Sequence, residues 1–383
     1  MKILYFHQHF STPKGSTGTR SYSFAKRLIN RGHSVSMVCG SYWIASSGLK
    51  GKFINGKREG KVDGINVIEL KIDYSNKDNY FSRIISFLAF SFRGIKIAIY
   101  RDYDIIFATS TPLTAGIPGI FAKYLKNKKF VFEVRDLWPE LPKAMGVIKN
   151  PIILKLMDFL ETVSYKSADG IIGLAPGIVS GIRKKVPNKN IVMIPNGCDN
   201  NLIKKKNNFQ SRNKFIATFT GAHGFANGLN IILDAAKIIQ NLNESDIEIH
   251  FIGDGAVKES LQKRAERENI ENCIFLEPLS KKKLFKYLND NVSVGLMTLK
   301  NIPEFYYGTS PNKFFDYISL GLPVLNNYPG WIADIIRRNN CGLVVDPDNP
   351  KAFADALIYL KLKPHLLNKM RANGIALSKK KFD

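Results

Sequence analysis

Short apolar runs alternate with amphipathic segments of helix length along nearly the whole chain, and this alternation constrains the fold more than any other feature. In the first half the runs are KILYFHQ, HSVSMVC, NVIELKI, DIIFAT, FVFEVRD, GIIGLA and IVMIPNG. Several are apolar throughout, as strands covered on both faces should be. The segments between them have a helical period. One of these, TRSYSFAKRLINRG, ends on a glycine suited to a helix C-terminus, Gly32. The pattern specifies a parallel sheet with helices on both sides. It breaks at residues 200–214, NNLIKKKNNFQSRNK, which is polar, basic and aperiodic and reads as a linker or surface loop. It then restarts with FIATFTG, IEIHFIGDG, CIFLEPL, VSVGLMTL, LPVLNN and GLVVD. With 383 residues the chain exceeds what one core usually fills. The expectation is therefore an α/β protein of two doubly wound, Rossmann-like domains, 1–199 and 215–383, joined by a basic linker. In open parallel sheets ligands bind beyond the carboxyl ends of the strands, so two such domains should hold a ligand in a cleft between them.

Charge points to the kind of partner. Fifty-six Lys plus Arg against 32 Asp plus Glu leave a net charge of +24. Such an excess favours nucleic acid, anionic lipid or phosphorylated substrates without choosing among them. The basic runs Arg183 to Lys185, Lys204 to Lys206, Lys281 to Lys283 and Lys379 to Lys381 are either solvated faces or membrane-facing. No RNA-binding signature or helix-turn-helix pattern accompanies them, so a nucleic-acid partner is disfavoured. Four dispersed cysteines form no CxxC pair and no metal-ligand spacing, a reduced, cytoplasmic pattern. The apolar run of MKILYFHQHF is too short for a signal peptide, and no stretch reaches the roughly 18 apolar residues of a membrane span.

The polar motifs fall just after predicted strands. In STPKGSTGTR, Gly15 and Gly18 allow close backbone approach ahead of a helix N-terminus that suits an anion, with Ser16 and Arg20 beside them; the alternative is a plain connecting loop. It is not GxGxxG, so a dinucleotide fingerprint and a nicotinamide dehydrogenase are disfavoured. FEVRDLWPELP sets Arg135, Asp136 and Glu140 at a strand end, either as a functional group or with Arg135 and Asp136 as a structural pair. TFTGAHGFANG brings Gly221, His223, Gly224 and Asn227 into a turn whose backbone N–H groups suit a diphosphate, although a lone histidine is more often structural. In FIGDG, Asp254 follows Gly253 and could cap the next helix. TSPNKFFDYISLGLPVL should be a helix capped by Ser310, with Pro311 in its first turn and Phe314, Phe315, Ile318 and Leu322 buried. Its Asp316 suits two ribose hydroxyls and its Lys313 a phosphate; otherwise Asp316 is a solvated helix residue. The Asp-x-Asp pairs at 102/104 and 346/348 are discounted as metal sites, the first lying at the wrong end of a strand and the second in a turn suited to capping.

Taken in order, the loop at 15–20, VRDLWPE, IPNGCD, GAHG, GDG and SPNKFFDY resemble the retaining GT-B glycosyltransferases of family 4, in the branch that builds bacterial O-antigen and capsule sugars. The resemblance runs nearly end to end. It implies a UDP-sugar donor held mainly by the second domain, with no cofactor and no metal. By it, Asp316 matches the ribose-binding second Glu of a Glu-x7-Glu pair, and the backbone around Pro278 and Leu279 holds the base. Ser310, Asn312 and Lys313 would contact the donor's phosphate or sugar. The loop from Gly15 to Gly18 would face the diphosphate from the other side, and Asp136 would lie near an active-site residue of the first domain. The chain departs from the pattern in three places. The first Glu is replaced by Gly308, with Glu304 or Tyr306 as substitutes. The usual phosphate-clamping Arg and Lys correspond to Ala222 and Asn227, so neutralisation must come from Lys313, Arg20 and helix N-termini. The chain also ends earlier than is usual for the fold.

The implied reaction is transfer of a sugar, with retention, from a UDP-sugar to a saccharide on a lipid diphosphate. The segment YFSRIISFLAFSFRGIKIAIY, 80–100, combines aromatic and aliphatic residues with Arg83, Arg93 and Lys96 but no acid. It reads either as an interfacial helix on an anionic membrane or as a buried helix of the first domain. The membrane reading places the protein in the cytoplasm, on the inner face of the bacterial membrane. A GT-B epimerase acting on UDP-sugars would share the fold and donor site, and a basic nucleic-acid-binding protein is the alternative of a different class.

Overall fold

The computed structural model describes residues 1–74, 78, 80–200 and 214–383, so almost all of the basic segment expected at 200–214, with its Lys204 to Lys206 run, lies outside the described residues. Contacts divide the chain into Met1–Pro195 with Tyr307–Ser310, and Asn196–Tyr306 with Pro311–Asp383. The first domain was expected to run to residue 199. Instead Asn196–Asn200 joins the second unit because its backbone is bonded there. The Cys198 N–H donates to the Phe382 carbonyl at 2.7 Å, and the Cys198 thiol to the Phe315 carbonyl at 3.2 Å.

The first unit contains β1 (Lys2–Phe6), α1 (Arg20–Asn30), β2 (Ser34–Tyr42), β3 (Lys57–Val62), β4 (Ile65–Tyr74), α2 (Tyr80–Tyr100), β5 (Ile105–Thr109), α3 (Ile117–Lys126), β6 (Lys129–Val134), α4 (Glu140–Ala144), α5 (Pro151–Ser167), β7 (Gly170–Gly173), α6 (Pro176–Lys185) and β8 (Ile191–Met193). Its eight strands run β3-β4-β2-β1-β5-β6-β7-β8, all parallel except for the β3–β4 pair. All seven apolar runs form strands. The antiparallel β3, KREGKV, has no apolar alternation to reveal it, and its charges are those of an edge strand that must not recruit another chain. At the other end of the register, Asp102 pairs with Lys2 and Asp104 accepts from the Lys2 N–H, so both close the amino end of the sheet. Gly32 follows the C-cap of α1 at φ +83°, a conformation that favours glycine.

The second unit contains β9 (Phe215–Thr220), α7 (Asn230–Asn241), β10 (Ile247–Ile252), α8 (Lys258–Arg267), β11 (Cys273–Leu276), α9 (Lys281–Asn291), β12 (Val294–Met297), α10 (Pro303–Gly308), α11 (Asn312–Ser319), β13 (Val324–Asn326), α12 (Trp331–Asn339), β14 (Gly342–Val344), α13 (Pro350–Leu362) and α14 (Pro364–Lys381). Its sheet is parallel throughout, in the order β11-β10-β9-β12-β13-β14. This is the doubly wound order, in which the chain reverses direction between its first and fourth strands and opens a crevice at their carboxyl ends. In the second unit that point lies between β9 and β12; the first unit repeats it between β1 and β5. The cores are apolar on both sheet faces: Tyr5, Phe107, Phe130 and Phe132 in one, and Phe219, Ile249, Phe251 and Leu296 in the other, are all buried.

One charged pair is set deep in the first unit. Arg20, the first residue of α1, donates Nε and Nη2 to the Glu133 carboxylate of β6 at 2.9 and 2.8 Å, and both side chains are buried. It also donates to the carbonyls of Ile194 and Pro195, while Thr109 donates to Glu133 at 2.7 Å. This corrects the expectation that Arg20 neutralises a phosphate, because its donors are already spent inside the unit. Burial alone would raise the Glu133 pKa, but Arg20, Arg135 and Thr109 bring it below the usual range. The pair therefore stabilises the fold above the unfolded carboxyl pKa, and this contribution is lost as pH falls through the depressed one. Replacing Glu133 with Ala strands a buried guanidinium. It should cost the first unit about 3–5 kcal/mol in urea unfolding at neutral pH and remove part of its acid sensitivity.

Candidate functional site

The second unit gathers its candidates at the β9/β12 crevice. Helix α11 is fixed there by Tyr317, whose buried hydroxyl lies 3.0 Å from the Thr218 carbonyl, 3.0 Å from the Thr220 N–H and 3.3 Å from the Leu296 carbonyl. Room for the ring comes from Gly295 on β12, where a Cβ would stand 2.4 Å from the ring. One turn earlier, Lys313 then passes over the end of β9. Its Nζ sits 3.6 Å above the Phe219 ring centroid and 3.5 Å from Asn227 Oδ1. Asn227 closes the turn by donating to the Ala222 carbonyl at 2.8 Å. Thus the turn of Gly221, Ala222 and Asn227 meets Lys313, which is far from it in sequence. Desolvation pushes the Lys313 pKa down to about 7, so its charge changes within the physiological range.

The turn differs from the expected amide cradle. The Gly221 N–H donates to Ile252 O at 3.0 Å and that of His223 to Asp254 O at 2.9 Å, so both are already bonded. Gly253 has a steric role, since a Cβ there would stand 1.9 Å from the Gly221 carbonyl oxygen and its φ is +149°. Glycine at this position is what lets the two strand-end turns touch. His223 is buried between Phe219 and Phe251, and desolvation lowers its pKa to about 4, so it is neutral at physiological pH. Asp254 accepts from the Gly255 N–H at 2.8 Å and lies four residues before α8 begins, where Val257 holds the cap position, so it does not have the capping position expected. Nor does Ser310 cap α11, because the helix starts at Asn312 with Pro311 in the cap position and no side-chain cap bond.

Asp316 lies further along α11 and is buried. Its Oδ1 receives the Lys281 Nζ at 2.5 Å, and Lys281 is buried as well. Burial raises the Asp316 pKa, and Lys281 opposes the rise. A solvated helix residue is thereby excluded. Pro278 and Leu279, partly buried, lie between β11 and α9, the helix that begins with Lys281. Tyr306 lies in α10, where its hydroxyl donates to Asn301.

The first-unit candidates form a separate group. Asp136, just past β6, accepts from Thr111 Oγ1 at 3.1 Å. Burial raises its pKa, against the charge of Arg135. Arg135 approaches His7 Nε2 at 3.4 Å, and His7 Nδ1 lies 2.8 Å from Ser21 Oγ. Glu140 is exposed at the start of α4. In the glycine loop the Gly15 N–H donates to Thr12 O at 3.0 Å and the Ser16 N–H to Ile44 O at 2.9 Å, so neither offers a donor to a diphosphate. A Cβ on Gly15 would stand 2.2 Å from Ser11 Oγ, which makes that glycine a packing requirement. Gly18 lies further along this loop, two residues before α1.

Several residues escaped the sequence reading. Lys281 was one of a run of three lysines, and spacing could not show that it alone turns inward. Glu133 was hidden in an otherwise apolar strand, where an unexplained acid is itself the signal. Tyr317 and His7 had none, since their roles depend on partners distant in sequence.

Two families match, one to each half of the chain: a glycosyl transferase 4-like domain over residues 15–197 and glycosyl transferases group 1 over residues 199–377. The probable glycosyltransferase WbjE of Pseudomonas aeruginosa is 26% identical over 301 residues, covering 74% of this chain and 73% of that protein. Sucrose-phosphate synthase from Thermosynechococcus elongatus superposes with a TM-score of 0.77 at 15% identity, covering 100% of this chain and 95% of that one. Anabaena HepE, solved in complex with UDP and glucose, superposes with a TM-score of 0.68 at 15% identity, covering 100% and 96%. At such identities the structural likenesses carry the fold, and the two family matches carry the activity: the chain is a glycosyltransferase of the GT-B fold.

Proposed function

We propose that this glycosyltransferase moves a sugar, an N-acetylated amino sugar by its resemblance, from a UDP-sugar to a saccharide on a lipid diphosphate, with retention of configuration, in bacterial surface polysaccharide synthesis. The observation that carries the reading is the position of Lys313 over the Gly221–Asn227 turn at the β9/β12 crevice, where a doubly wound sheet takes its ligand. The donor's diphosphate would lie on that turn. Lys313 and the N-terminus of α11 would stabilise the charge developing on it as the sugar departs. Gly224, Ser310 and Asn312 would line the same position. Asp316, with Oδ1 bound to Lys281, would offer Oδ2 to the ribose, and the base would rest by Pro278 and Leu279. Asp136 would serve the acceptor side, and Tyr306 would stand near the sugar in place of the missing acid. No metal or cofactor enters this scheme. Support for a UDP donor comes from HepE, whose structure contains UDP and glucose. The acceptor would be brought by an anionic membrane surface bound through 80–100, on the cytoplasmic face. Among the described residues no helix is long and apolar enough to cross a membrane, which suits association from one side.

Three measurements test this. UDP should raise the melting temperature more than GDP or TDP, because a ligand confined to the folded state stabilises it. Asp316→Ala should weaken UDP binding by about tenfold to a hundredfold and abolish UDP-sugar turnover. Unchanged turnover would sink the assignment. The third concerns pH. With a free pKa of about 7, Lys313 is mostly neutral at higher pH, and a bound diphosphate would restore its proton. UDP affinity should therefore fall as pH rises above 7, by at most about tenfold per pH unit. Lys313→Met should bind more weakly at pH 7 and lose that slope. An equal slope in the variant would remove Lys313 from the site.

A further inference from the structure

Three helices of the first unit are built inside out. In α2 the inward positions carry Ser91, Gly94 and Ala98 beside a single large residue, Phe90, while Phe81, Ile85, Phe92 and Tyr100 face out, Phe92 at 68% exposure. The small inner residues have a packing reason, since a Cβ on Gly94 would stand 2.7 Å from Pro118 of α3. Helix α3 repeats the arrangement, with Pro118, Gly119 and Ala122 inside and Phe121, Tyr124 and Leu125 outside. A Cβ on Gly119 would stand 2.2 Å from the Phe130 ring. In α5 the buried residues are Glu161, Ser164, Tyr165 and Ser167, while Ile152, Leu156 and Phe159 are exposed. Helix α3 packs against both α2 and α5, so the three outward rows lie side by side on one layer.

A helix on a water-facing layer normally turns its polar side out. Three neighbours reversed together make a broad apolar face, the mark of an interaction surface. Its charges favour one partner. Neither α2 nor α3 contains an acid, and Arg93, Lys96, Lys126 and Lys155 accompany the apolar rows. Arg93 and Lys126 donate to main-chain carbonyls and so keep their charge. The one outward acid, Asp158 on α5, is paired with Lys185 at 2.7 Å. Two copies of this face would oppose like charges, whereas an anionic bilayer accepts both the apolar side chains and the cations.

We infer that the α2–α3–α5 layer as a whole, rather than the 80–100 helix alone, is a docking face for an anionic phospholipid bilayer. The inference rests on the reading that the acceptor is membrane-borne, and it adds α3 and α5 as anchoring elements. The test is flotation of the full chain with vesicles of phosphatidylcholine alone or mixed with phosphatidylglycerol. Two variants accompany it, Ile85→Ser with Phe92→Ser on α2, and Tyr124→Ser, Leu125→Ser, Ile152→Ser and Phe159→Ser on α3 and α5. All six positions face outward, so the fold should survive, and an unchanged melting shift with UDP verifies this. The native chain should float with the anionic vesicles only, and each variant should reduce the bound fraction by about tenfold or more. If the α3–α5 variant floats like the native chain, the layer is overturned while contact through 80–100 stands. Native protein that ignores both vesicles, with the UDP shift intact, overturns membrane docking without touching the donor site. A native dimer that the substitutions convert to monomer in light scattering would assign the face to a second copy and overturn the inference as well.

Discussion

Tyr317 reaches from α11 into the gap between β9 and β12 and bonds to backbone groups on both strands. The two strands flank the point where the sheet reverses its winding, and the candidate donor site depends on that one hydroxyl being seated. Without it α11 would lose its bonds to the two strands, keeping those to Lys281, Asn227 and Cys198. With it, Lys313 comes to rest over the first strand end, and Asp316, one residue before the tyrosine, faces Lys281 on α9. A buried phenol must be hydrogen-bonded, so the register of the helix is strongly specified.

The two charged features of the site follow from burial. Lys313 is buried over an aromatic ring, and desolvation lowers its pKa to about 7. A cation of this kind is poorly solvated and responds strongly to an incoming anion. Asp316 has a partner within the fold, Lys281, which opposes the rise in pKa that burial causes. In the first unit the corresponding pair, Arg20 with Glu133, is structural, and it spends on the fold a guanidinium that might have served a phosphate. In the proposed scheme, neutralisation of a donor's diphosphate is therefore assigned to Lys313 and the N-terminus of α11.

Much of this could be read before any fold was known. All the apolar runs named as strands are strands, because a run covered on both faces must be apolar and short, and that property belongs to the residues themselves. The glycine at the end of α1 and the helix over residues 80–100 are likewise local matters. Strand β3 was not legible, since an edge strand has one neighbour and little apolar demand. The direction of residues 80–100 was not legible either. Composition gave an apolar and basic helix, but not which residues faced inward: Phe90 is buried together with the small Ser91, Gly94 and Ala98, while most of the large apolar residues are not.

The candidate site divides in the same way. Sequence by itself determined the two sheet domains, the strand-end positions of the polar motifs and the choice of Lys313 and Asp316, because strand-to-helix turns and local composition are encoded by neighbouring residues. Tertiary structure decided which of these groups are already spent. It bonded the amides of Gly15, Ser16, Gly221 and His223 within their own units, gave Arg20 to Glu133, turned one lysine of three toward Asp316 and set Tyr317 beneath β9. All of these outcomes except the Gly15–Thr12 bond are pairings between residues far apart along the chain. A hydrogen bond or ion pair forms only where folding removes both partners from water together, and no local pattern records that event.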